Sequence, residues 1–172
     1  MTWTAPEVTR AREPAIADER TTLEGLLDSQ RGTLMMKCAG LSGEQLARQN
    51  CPPSKLSLLG LVRHMTDVER IWFRTRFGGE AIERTYWREE RPDAAFLDAD
   101  PAAAEADFAA LASEIEAARN AVADVSLDTS VTHPRFGELS LRWLYGHMIR
   151  EYARHNGHAD LIRERIDGRT GF

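Results

Sequence analysis

The sequence predicts an all-α fold, a four-helix bundle in up-down-down-up order. Three observations carry that expectation. Apolar residues recur at spacings of three, four or seven in four stretches, polar caps and glycine or proline stops bound those stretches, and no segment shows the sustained alternation of a strand. The chain has 172 residues, 42% apolar and 28% charged, which is the material for one domain with a core of its own.

Residues 1–17 hold Pro6 and Pro14 among charged residues and read as an N-terminal arm, leaving 18–172 for the bundle. Leu23, Leu26, Leu27, Leu34, Cys38 and Leu41 form one face of a first long helix, with Gly40 as its stop. Ser42-Gly-Glu-Gln is a capping box that opens a short helical turn, and Pro52-Pro53 ends that segment. A second long helix starts at the N-cap Ser57 and runs to Phe77, before Gly78-Gly79. Its stripe is Leu58, Leu61, Met65, Val68 and Trp72. From Gly78 to Asp100 the chain is polar, with Tyr86, Trp87 and Phe96 as isolated anchors. This link of about twenty residues is longer than a helical hairpin needs, and it lets the two helices it joins run parallel. Asp100-Pro101 starts a third helix carrying Phe108, Leu111, Ile115 and Val122. Residues 125–139 read as a loop with at most a short extended piece. Ser140 then caps the longest helix, which stops at Gly168.

Charge and hydropathy narrow the function classes. Lys and Arg number 22 against 27 for Asp and Glu, a net charge of −5, so no nucleic-acid partner is expected. No apolar run is long enough to span a bilayer and no hydrophobic leader is seen, so neither a membrane partner nor export is expected, and the cytoplasm is the expected compartment. Trp3, Tyr86, Trp87 and Phe96 lie outside the regular helices, and such aromatics point to a homodimer surface. Cys38 lies in an apolar helical pattern and Cys51 in a loop. Neither neighbours a histidine that would activate it.

Chemistry concentrates in the last helix, which holds His147, His155 and His158 of the chain's five histidines. At about 100° per residue, Glu151 and His155 fall in the middle of its apolar stripe, while His147 and His158 fall at its edge. A glutamate at the centre of such a stripe is costly to bury without a cation. Two readings follow. Glu151 and His155, one turn apart, form a metal-ligand pair completed by His64 from the second helix. Alternatively, Glu151 is a buried ion-pair partner of Arg63, Arg70 or Arg142, and the histidines are merely satisfied by carbonyls. His133, beside Pro134, reads as a surface histidine. Asp67 and Glu69 read as solvated helix charges.

LSLLGLVRHMTDVERIWF, followed by LRWLYGHMIREYARHNGHADLIRERIDG, closely resembles the DinB superfamily of four-helix metalloenzymes, nearest its mini-circle-type actinobacterial branch. The resemblance runs from about residue 18 to 170. It implies an up-down-down-up bundle with a divalent metal (Zn, Ni, Fe or Mn) held by His64, Glu151 and His155. A carboxylate at position 151, where most of that superfamily has histidine, is similar to the metal-binding domain of the mycothiol-dependent maleylpyruvate isomerase. His158 stands where many relatives have glutamine and is placed as a contact for the cofactor. The resemblance further implies a thiol S-transferase that uses a low-molecular-weight thiol such as mycothiol on small electrophilic substrates. A non-catalytic, metal-stabilised bundle that binds small molecules is the alternative.

Overall fold

A computed structural model describes residues 3–171; positions 1 and 2 of the arm and position 172 lie outside the described residues. The described chain is mostly helical. Asp18 caps α1 (Glu19–Cys38) by accepting from the Thr21 N–H. The Ser42 capping box opens the single turn of α2 (Gly43–Ala47), and Ser57 caps α3 (Leu58–Glu69) through the Gly60 N–H. After a one-turn α4 (Ala94–Leu97), Asp100 and Pro101 start a 3-10 turn that leads into α5 (Ala104–Val122). Ser140 caps α6 (Leu141–Asp167), and Gly168 ends it in the left-handed conformation at φ 77°.

Two elements differ from the sequence expectation. Beyond Glu69, α3 continues as a π-helix over Arg70–Phe77, a widened turn that an analysis at a fixed helical period does not reveal. In the loop before α6 the chain makes a short antiparallel hairpin, β1 (Ser130–His133) with β2 (Gly137–Ser140), pairing Val131 with Leu139 and His133 with Gly137.

The core gathers one stripe from each long helix: Leu27 and Leu34 from α1, Leu61 and Met65 from α3, Phe108 and Leu111 from α5, Leu144 and Met148 from α6. Removing that apolar surface from water is the main drive for the packing, at about 25 cal/mol per Å². The arm is tied down where it is described. Ala5 is buried and exchanges backbone hydrogen bonds with Leu41 and Gly40, and Thr4 bridges Ser42.

The long connection between α3 and α5 is pinned more firmly than its polar sequence suggests. Asp67 is buried, not solvated. Its carboxylate accepts the backbone N–H groups of Thr85, Tyr86 and Trp87 at 2.5–3.0 Å. Tyr86 donates its hydroxyl to Asp107 at 2.8 Å and packs under the Arg63 guanidinium. Gly60 lets α4 come close, since a Cβ there would meet the Phe96 ring at 2.7 Å. Phe96 in turn packs beside His64. Glu69 is likewise no solvated charge. It has no exposed surface, takes a two-pronged ion pair from Arg31 at 2.7–2.8 Å and accepts the Tyr152 hydroxyl at 2.8 Å.

Candidate metal centre

The α3–α6 interface brings His64, Glu151 and His155 together. One donor atom from each lies within 4.8 Å of the others. Glu151 Oε1 is 3.7 Å from His64 Nε2 and 3.4 Å from His155 Nε2, and the two imidazole rings meet edge to face at 4.8 Å. The register comes from the helices. Glu151 and His155 are one turn apart on α6, and His64 projects from the second turn of α3.

The electrostatics favour a cation at the point where these atoms converge. His155, then His64, hold the Glu151 carboxyl well below the usual carboxylate range, so it presents full negative charge there. His64 Nε2 is buried and has no hydrogen-bond partner. A buried ring nitrogen left without a partner is costly, and an imidazole lone pair facing a carboxylate and a second imidazole fits a divalent ion better than an apolar neighbour. Two histidines and one carboxylate suit Zn, Ni, Fe(II) or Mn.

The ion-pair alternative does not describe this site. Arg63 pairs with Asp107, Arg70 with Glu114, and Arg142 with Glu19 and Asp128. The arginine near Glu151 is Arg154, an exposed side chain on the same helix at 3.5 Å.

His158 and His147 both lie outside the cluster. His158 Nδ1 sits 3.4 Å from His155 Nδ1. A proton shared there, given by His155, leaves the His155 Nε2 lone pair aimed at Glu151 and His64. Burial, and then the neighbouring His155, lowers the His158 pKa. His147 instead stacks on Trp143, with ring centroids 5.0 Å apart and planes 6° from parallel, and burial lowers its pKa too.

Several residues around the site carry no signal in a helical wheel. His133 is not a plain surface histidine: its ring stacks on Trp72 at 5.2 Å. Trp72 also packs on His147 at 4.6 Å and on Trp143, and Phe136 at the hairpin covers His133 and Trp143. Of the aromatics expected to mark a dimer surface, Trp3 and Phe96 pack against this chain's own core. Trp3 packs edge-on to Phe108, Tyr86 is fixed by Asp107 and Phe96 sits against His64, while Trp87 stays 37% exposed. Cys38 is fully buried, which pushes its thiol up to about 12 and removes it as a nucleophile.

Four long helices carrying a convergent two-histidine, one-carboxylate cluster define an all-α protein with a donor set consistent with a divalent-metal site. A family model described as mycothiol S-transferase matches residues 22–168. The chain belongs to that family, a DinB-like one, as its two helical motifs implied. No curated protein and no solved structure gives a significant match. Among the described residues, no helix is long and apolar enough to cross a membrane.

Proposed function

We propose that this chain is a divalent-metal-dependent thiol S-transferase, built as an up-down-down-up four-helix bundle. In this reading it joins a low-molecular-weight thiol such as mycothiol to a small electrophile. The family match over residues 22–168 supports the reaction class. The observation that carries the metal is His64 Nε2, buried, without a hydrogen-bond partner and facing Glu151 and His155.

His64, Glu151 and His155 would hold the ion. A divalent ion with an open position lowers the pKa of a thiol or water bound to it, so the thiol sulfur reacts as an anion at neutral pH. The chain's own residues do the rest. Glu151 supplies the charge that binds the cation, and His158 orients the His155 ring. With Cys38 sealed in the core and Cys51 set against the Leu161 carbonyl outside the cluster, this reading assigns the attacking sulfur to the cofactor and not to the protein. The net reaction forms a bond from that sulfur to the electrophilic carbon. The leaving group departs with its bonding pair, and the thiol proton passes to solvent.

The test is a thiol-transfer assay with mycothiol on metal-free and metal-loaded protein, run beside His64→Ala. Turnover that requires metal and vanishes in the variant is the expected result. If the loaded protein transfers no thiol and metal only raises its melting temperature, the bundle is a metal-stabilised scaffold instead.

A further inference from the structure

A cleft of about 140 Å³ opens beside His64, between α3 and the pinned connection. Val68, Ile71 and Trp72 contribute from the helix, Trp87 and Pro92 from the connection, and His64 belongs to the lining. Both tryptophans are set in place by the rest of the molecule. Trp72 is stacked on His133 and braced by His147 and Trp143. The Trp87 main chain is held by Asp67 at 2.8 Å, and the Arg84 guanidinium lies over its ring at 4.6 Å. Asp67 also lines the cleft, but both of its oxygens already accept backbone N–H groups. Apart from His64, the remaining lining is therefore apolar and aromatic, with Arg84 as its one planar cation.

Size and chemistry agree on the occupant. An apolar cavity of about 150 Å³ in another protein takes up benzene, so this volume suits one ring. Indole faces favour flat π-systems over aliphatic chains of equal area. We propose that the cleft is the electrophile subsite and that it takes a single aromatic ring against Trp87 and Trp72, with Arg84 at the rim for an electron-rich substituent. This assignment rests on the thiol-transfer reading above, and it makes Trp87 a specificity-determining residue for that reaction.

The experiment uses the full chain and an unreactive ring, 3-fluorobenzyl alcohol, titrated by fluorine NMR beside a zinc titration of the same samples. Wild type should bind the ring. Trp87→Ala, and Val68→Phe, which fills the cleft, should each weaken binding about tenfold, whereas Trp87→Phe should stay within about threefold. His155→Ala, which alters the cluster but not the cleft lining, should keep the ring and lose the zinc. Circular dichroism checks that each variant is folded. In the transfer assay, Trp87→Ala should raise KM about tenfold for 1-chloro-2,4-dinitrobenzene and leave iodoacetamide unchanged. A wild type that binds zinc but no ring, or a Trp87→Ala variant that binds the ring as wild type does, overturns the subsite alone. Ring binding without zinc binding overturns the metal reading, and the electrophile assignment falls with it.

Discussion

Glu69 on α3 and Glu151 on α6 are both glutamates within the helical stack, and they are held by different kinds of partner. Glu69 is completely buried, and the Arg31 fork and the Tyr152 hydroxyl engage both its oxygens. Glu151 is 17% exposed and faces two imidazoles at 3.4 and 3.7 Å, one of them with a buried nitrogen that makes no hydrogen bond. Burial of charge therefore does not by itself mark a site. The arginine neutralises its carboxylate permanently and leaves no vacancy for a ligand. The histidines leave donor atoms converging on a carboxylate, an arrangement consistent with a cation site.

The sharpest way to break this comparison is Arg31→Met. It strands Glu69 as an uncompensated buried charge and should cost about 3–5 kcal/mol of stability in urea unfolding at neutral pH. A loss below about 1 kcal/mol would show that Glu69 is not the structural member of the pair. Next comes Glu151→Gln, which should weaken metal binding by about 100-fold or more in a competition titration. It should shift the unfolding of metal-free protein by less than about 1 kcal/mol. A large stability loss in that variant would mean the two glutamates have the same job.

A smaller effect is expected of His158→Asn. It removes the partner of His155 Nδ1 and should cost about tenfold in metal affinity, yet reach full occupancy at saturating metal. The smallest is a pH effect at His147, outside the cluster. Burial lowers its folded pKa below the ordinary 6.5, so the unfolded chain takes up a proton first. The stability that neutral His147 contributes is present above 6.5 and lost as pH falls through the folded pKa. His147→Phe keeps an aromatic ring in the stack and should flatten that part of the metal-free protein's stability profile. His133 and His158, whose pKa values burial also lowers, keep the rest of the slope.

That His64, Glu151 and His155 lie together was legible in the sequence because Glu151 and His155, one turn apart on a helix, leave a periodic trace, and the two motifs carried a family likeness that added His64. The helix ends were legible for a similar reason, since Ser57, Ser140 and Gly168 act on backbone groups only a few positions away. Asp67 and Glu69 were not. Their partners are Thr85 to Trp87 and Arg31, and a helical wheel knows only its own helix. The hairpin escaped because four-residue strands are too short to show alternation against a loop background. The π-helix escaped because the wheel assumes one period throughout.

The way Asp67 holds the connection has a consequence for how this protein can change over generations. The carboxylate grips main-chain N–H groups at residues 85, 86 and 87, and every amino acid except proline supplies one. The path of the wall is thus written in the helix, while the identity of the side chain at position 87 is left open. Substitutions there can alter what the cleft accepts without refolding the strand of chain that carries them. A lineage with this clamp can diversify its chemistry one residue at a time, keeping a fixed frame beneath an interchangeable surface.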